Sequence, residues 1–506
     1  MHFIIDIKRK TLAKLILVNV VFFAHVFICK AQKVEISNTA IDDKGYEFAK
    51  VLGHNDYGFY LLQSNLSLAI SNNRIGFKVR KYRLIYMDFD MNIKWQHEVE
   101  NSIDKKRLAE VFFFNSQPML VYAEQLPNDK YNVYCVNMFA NGNVMFGDKN
   151  KFEITLPNDE AFDAINGTAS FYDEKFCLLL PESNNDNQKY HFVICDTTLQ
   201  NYVLRDIVIN QDDNHFVADE FDVSDNGDVA LSGILSADKK IRNNKDYENI
   251  TYATYLITAA NKDAMIYDFK VPQKNIGEAS ILFDNDNNQL VVGGFYQTAD
   301  DDAKHGIAYA RYALDRVEPA IIKCFELNNA TTGKVVDRIE ENISSVAGYT
   351  ISKIVLRSDS GAIIVAEDFY KEEYSFYDYF TQTVQRRFEY HYDNMMVISI
   401  NNDGSTDWNK LIRKEQTSTN DDAVYLSYIS AATAGRLYFI YNRDISLNNE
   451  VISVAIDNKG KLLDTDLLRS LDHVIIMPKY GKQVAPNELI LPVIQKKKMR
   501  LAKITF

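Results

Sequence analysis

Residues 369–392, FYKEEYSFYDYFTQTVQRRFEYHY, hold the densest reactive chemistry in the chain. Tyr370, Tyr374, Phe376, Tyr377, Tyr379, Phe380, Phe388, Tyr390 and Tyr392 are interspersed with charges, and Arg386 stands next to Arg387. Rings with a polar edge and planar guanidinium groups give large contact area, so they are favoured at binding surfaces. Planar rings also suit the faces of sugars. The chemistry implied is recognition of a protein or a glycan. Its candidate contact residues are Tyr374, Tyr377, Tyr379, Arg386, Arg387, Tyr390 and Tyr392. A structural reading stands beside it, in which a lengthened hairpin buries one row of rings on its neighbour. Lys371, Glu372 and Glu373 keep part of the run in water.

Other reactive residues form no local constellation. His54, His97, His191, His215, His305, His391 and His473 fall in no HExxH, and no GxSxG elbow is present. Asp284, Asp286 and Asn288 have the alternation that opens a calcium loop, but no carboxylate follows at the distance a twelve-residue loop needs. A tight turn accounts for them better, as it does for Asp225-Asn226-Gly227 and for residues 358–361. Gly293-Gly294 lies inside an apolar strand with no helix after it, so close packing near an axis explains it better than a phosphate cradle. No cofactor and no metal are expected.

The cysteines carry no CxxC pair and no cluster with histidine. Cys177 and Cys195 flank one hairpin and could lie side by side on its strands, where export would permit a disulfide. Packing as buried free thiols is the expected state.

These residues must be positioned by strands. The run 394–414, NMMVISINNDGSTDWNKLIRK, reads as an apolar strand, a turn on Asn402-Asp403-Gly404, and a second strand carrying Trp408. Related phrases recur: YRLIYMDFDMNIKWQHEV earlier in the chain and VISVAIDNKGKLLDTDL later. Seven sets of four short strands can be drawn between residues 48 and 468, with three strands after them and one unassigned strand at 34–41. The period is roughly 55–60 residues, somewhat above the usual propeller repeats. If the N-terminal strand completes the last set, a ring closes and no long edge is exposed. The expectation is an all-β β-propeller of about eight four-stranded blades, with seven as the alternative, spanning 33–506 as one domain. Tandem β-sandwiches also give many short strands, but they have no reason to repeat one phrase. The irregular segment 328–347 includes 335–343, which could form a short helix.

The repeated phrase resembles the PQQ-like, quinoprotein-type β-propeller repeat. There a strand ending in aspartate and a glycine turn leads to a tryptophan-bearing strand. Ile456-Asp457-Asn458-Lys459-Gly460, and Asn401-Asn402-Asp403-Gly404 with Trp408, match best; residues 88–95 match without the glycine. With only Trp95 and Trp408 in the chain, Phe, Tyr or Leu must replace the usual tryptophan docking in most blades. The resemblance implies the fold and maps no quinone-binding constellation. Propellers of this type include dehydrogenases and non-enzymatic scaffolds of the bacterial outer membrane.

Residues 1–32 read as a secretory leader. Lys8, Arg9 and Lys10 precede an apolar run at 15–28, with cleavage expected near Ala31 or Gln32. Asn19 and His25 interrupt that run, so a full membrane span is poorly met. Ile28 stands where lipidation of Cys29 would need a small residue. Loss of the leader removes five bases and one acid and takes the formal charge from −13 to −17. An acidic body argues against a nucleic-acid partner. The expected function is a non-enzymatic binding or scaffold module of a bacterial-type cell envelope or exterior, engaging a protein or glycan. The alternative is a propeller enzyme, quinoprotein-like or glycan-active, with His and carboxylates converging at one mouth of the axis.

Overall fold

Strands that are apolar on both faces must be covered on both faces, and the sheet formed by residues 102–155 (sheet 2) shows how. In its strand Lys130–Asn137, Val133 and Cys135 enter one hydrophobic cluster while Tyr134 and Val136 enter another. The first cluster joins sheet 2 to the sheet after it, and the second joins it to the sheet before. A continuous apolar run is therefore two alternating patterns superposed.

The computed structural model describes residues 32–506 apart from 43, 47, 72–73, 128–129, 148–150, 156–164, 184–186, 211–214, 237–249, 262, 299–300, 327–347, 379–381, 446–448 and 469–472. The leader, the helix expected at 335–343 and the candidate residue Tyr379 lie outside the described residues. Within them the chain is all-β and forms a β-propeller. The described strands make eight antiparallel sheets. In chain order these are sheet 1 (48–99), sheet 2 (102–155), sheet 3 (166–210), sheet 4 (215–268), sheet 5 (274–326), sheet 6 (349–419), sheet 7 (429–468) and sheet 8 (474–505).

Eight clusters of buried side chains each bridge two sheets, and together they run once round a ring. Sheets 1 and 2 share Leu62 and Leu120; sheets 4 and 5 share Tyr252 and Ile281; sheets 6 and 7 share Val397 and Phe439. The last of the eight joins sheet 8, through Val484 and Ile490, back to Val51 and Phe59 of sheet 1. A tandem of sandwiches would not close in this way. The closure is also covalently offset: the N-terminal strand Lys33–Ile36 pairs antiparallel with Lys498–Thr505 and completes sheet 8. The strand is shorter than the 34–41 expected, and it ends where the Ser37 amide turns to bond Leu501.

Sheets are locked at their outer rims by the repeated phrase. Gly460, in the turn 457–461 of sheet 7, has φ +74°, and a Cβ placed there would lie 2.7 Å from Trp408 Cγ of sheet 6. Gly404 has φ +79°, and its Cβ would lie 2.7 Å from Ile321 Cγ2 of sheet 5. In each case a bare glycine turn receives the outermost strand of the preceding sheet. Trp408 thus packs on an adjacent blade, as the resemblance to the quinoprotein-type repeat implies, and an isoleucine does the same one interface earlier.

The apolar pattern at 424–430 reads as the first strand of the seventh set, but the strand is Ile429–Thr433 instead, because Asn420, Asp422, Ala423 and Ser427 all have positive φ and form a chain of tight turns. The run 369–392 is a hairpin of paired strands. It holds the far ends of Ala362–Asp378 and Thr383–Ile400, and so forms the tall end of sheet 6.

Candidate functional site

The ribbon at the end of sheet 6 has a definite register. Tyr370 faces His391, Lys371 faces Tyr390, Tyr374 faces Arg387, Ser375 faces Arg386 and Tyr377 faces Val384. Residues directly opposite share a face. The candidate residues therefore divide between two faces: Tyr374 and Arg387 on one, Tyr377, Arg386, Tyr390 and Tyr392 on the other.

They also divide along the length of the ribbon. At the base, Tyr390 is buried and clusters with Ala423 and Leu426, against which Phe369, Phe388 and Tyr392 pack. The turns at 420–427 supply this platform. The Tyr390 hydroxyl donates to Asp422 Oδ1 at 2.9 Å, and Thr417–Thr419 adds a short strand along Glu389–His391. Burial, with the bond to Asp422, pushes the Tyr390 hydroxyl up to about 12. Lys479 of sheet 8 donates to the Tyr392 hydroxyl at 2.7 Å, and its ammonium sits 3.9 Å from the centre of that ring. Tyr390 and Tyr392 thus hold the ribbon upright.

Beneath them lies a buried polar network. Lys414 Nζ is 2.7 Å from Glu367 Oε1 and donates to the Tyr392 carbonyl at 2.7 Å and to Gln416 Oε1 at 2.9 Å. Ser427 donates to Glu367, Gln416 donates to the Asn442 carbonyl, and Asn442 donates to the Tyr425 and Ile476 carbonyls. The chain of bonds ties the ribbon's root to sheets 7 and 8. Burial lowers the Lys414 ammonium, and Glu367 opposes the shift.

Beyond the base the ribbon stands in solvent. Tyr374, Phe376, Tyr377 and Val384 are 46%, 52%, 49% and 65% exposed. Arg386 pairs with Glu373 at 3.3 Å, and Arg387 donates to Thr419 at 3.3 Å. Tyr370 stacks on His391 at 4.2 Å with the planes 7° apart. Paired strands fix the spacing of these groups, so they form a pre-ordered surface of rings and guanidinium groups.

The turns between the first and second strands of sheets 3, 4 and 5 meet. The Tyr172 amide donates to Asp225 at 3.0 Å, its hydroxyl donates to Asp286 at 3.2 Å, and the Asp225 amide donates to Asn285 at 2.9 Å. The turn of sheet 3 thus leans across sheets 4 and 5. Its Asp173 lies within electrostatic range of Lys482 and His54, and burial raises that carboxyl. His97 lies on the turn at Gly142, His191 bonds Asp206 at 2.8 Å, and His391 stands on the ribbon. These three stand on separate sheets, 1, 3 and 6.

Asp284, which reads as a turn residue, has a second role that sequence reading missed. Arg311 Nη1 donates to it at 2.8 Å, with the two side chains 1% and 4% exposed. Arg311 also donates to Tyr309, Gln289 and the Gly361 carbonyl of sheet 6. Arg311 lies 27 residues from Asp284, so no local motif signals the pair. No group of three or more His, Cys, Asp or Glu able to hold a metal occurs among the described residues. A cavity of about 400 Å³ opens between sheets 6 and 7 beside Trp408. The charge of Arg357 in its wall is already engaged by Asp359 and Asp407.

The chain matches no family model and no curated protein. Several solved structures share its general course. The WD40 domain of SCAP from fission yeast is 9% identical at a TM-score of 0.40, over 94% of this chain and 98% of that one. Sqt1 from Chaetomium thermophilum is 10% identical at 0.41, over 93% and 99%. Prolyl oligopeptidase B from Galerina marginata is 8% identical at 0.37, over 92% and 56%. Such distant likenesses carry no functional argument, and the propeller rests on the strand pairing and the ring of clusters. No helix among the described residues is long and apolar enough to cross a membrane.

Proposed function

We propose that the protein is a non-enzymatic binding module of the cell envelope or exterior, and that the distal ribbon of sheet 6 is its contact surface for a protein partner. One observation carries the reading: exposed Tyr374, Phe376, Tyr377 and Val384 stand with Arg386 on a paired ribbon whose root is fixed by packing and ion pairs. Exposed aromatic and arginine side chains on a rigid support are the composition of energetic anchors in interfaces. The leader-like residues 1–32 support the location. The two-sided surface suits a protein more than a single sugar ring, which needs only one face.

The test is to replace residues 375–386 with Asn-Gly, joining Tyr374 to Arg387, which already face each other. The base and its network stay intact, so the thermal midpoint should be unchanged. Capture of a partner from envelope extracts should be lost, and protease treatment of the extract should abolish capture by the intact chain. Capture that survives the replacement overturns the site. Capture that resists protease and yields to glycosidase replaces the protein partner with a glycan.

A further inference from the structure

We propose that Cys135 and Cys195 form a disulfide that staples sheet 2 to sheet 3 when the chain folds in the presence of a disulfide oxidant. The inference is independent of the binding reading above. Spacing alone points to another pair, Cys177 with Cys195, at the two ends of one hairpin. The register separates them. Phe176 faces Cys195, and Cys177 faces Ile194. Neighbours along a strand point to opposite sides, so the two thiols lie on opposite faces of sheet 3. Cys177 joins the cluster with Phe192, Phe216 and Leu231 toward sheet 4. Cys195 joins the cluster with Phe176 and Val193 toward sheet 2, which also contains Cys135 and Val133. Cys135 of sheet 2 and Cys195 of sheet 3 therefore lie in one buried cluster between the two sheets.

A bridge between facing sheets is a known solution, used in immunoglobulin domains beside a packed aromatic. Here Phe176, opposite Cys195, occupies the comparable position. The step is thiol–disulfide exchange. One cysteine thiolate attacks an external disulfide and releases one thiolate. The second cysteine then attacks the mixed disulfide and releases the other. Two cysteine thiols are oxidised, one external disulfide is reduced to two thiols, and two protons are exchanged. In the structure both cysteines are free thiols and buried. The contact with Cys195 and burial hold the Cys135 thiol protonated, which makes it a poor nucleophile there. Oxidation therefore belongs to folding, before sheets 2 and 3 close. The loop from 135 to 195 would restrict the unfolded chain.

The full chain, refolded with reduced and oxidised glutathione, should yield a non-reducing peptide map with Cys135 linked to Cys195 and a mass lower by two hydrogens. Its urea midpoint should exceed that of the reduced chain. The link should vanish in Cys135→Ser and Cys195→Ser and persist in Cys177→Ser. A map showing Cys177 linked to Cys195, or all four cysteines of the propeller body alkylated after oxidative refolding, overturns the proposal. The wild-type map decides the matter even if a serine variant does not fold.

Discussion

The ring of Trp408 rests on the turn at Gly460, so closely that a single added carbon on the glycine would lie 2.7 Å from Trp408 Cγ. The contact crosses from sheet 6 to sheet 7 and depends on a positive φ as well as on space. Gly460→Ala should therefore cost about 1–3 kcal/mol, through backbone strain and a displaced indole. Urea unfolding followed by tryptophan emission would measure it. A variant as stable as the parent would show that the turn yields freely and that the contact is incidental.

The Arg311–Asp284 pair should behave as a buried ion pair. Removing one member leaves a charge without its partner, so Arg311→Leu should lose about 3–5 kcal/mol. A double variant, Arg311→Met with Asp284→Leu, should recover much of that loss, since neither charge is then stranded. A double variant no more stable than the single one would show that Gln289 and the Gly361 carbonyl need the guanidinium as much as Asp284 does.

Asp222 should make stability fall as pH rises through neutrality. Burial pushes its carboxyl up to about 7 from an ordinary 3.8, although the Phe283 and Val223 amides donate to it. With the folded value above the unfolded one, its favourable contribution is complete below 3.8 and is lost as pH passes about 7. Asp219 and Glu220, also raised by burial, act in the same direction. Relative to the parent, Asp222→Asn should gain more thermal stability at pH 8 than at pH 5. Equal gains at the two pH values would contradict the burial argument.

Closure by the N-terminal strand should matter for stability and for solubility. Deleting residues 33–36 removes the side chains of Val34 and Ile36 from the core between sheets 7 and 8 and bares the edge of Lys498–Thr505. A loss of about 2–4 kcal/mol is expected from two part-buried aliphatic side chains. Concentration-dependent association should appear in light scattering, since an open edge templates further pairing. A truncated chain that stays monomeric with an unchanged midpoint would show that the strand is dispensable.

Much of the architecture is legible in the residues themselves. The alternating apolar runs, the recurring turns that join an aspartate to a glycine one to three residues on, and the leftover N-terminal strand imply a closed propeller because those features are local or depend on simple pairing. The identity of the ribbon is legible too, since no other stretch gathers rings and arginines so densely. The roles of its residues are less so. Tyr374 and Tyr390 look equivalent in sequence, yet one is exposed and the other buried. That difference depends on the platform at 420–427, whose positive-φ turns carry no strong composition cue.

The all-β class, the repeat and the place of the aromatic ribbon follow from periodicity and turn chemistry, and the docking of Trp408 is what the resemblance to the quinoprotein-type repeat implies. Which residues meet across sheets follows from neither. Tertiary structure placed Cys195 in one cluster with Cys135 instead of Cys177, Arg311 on Asp284, and Lys414 under the root of the ribbon. The physical reason is common to all three. Strand register sends neighbouring side chains to opposite faces, and ring closure chooses which distant face each one meets.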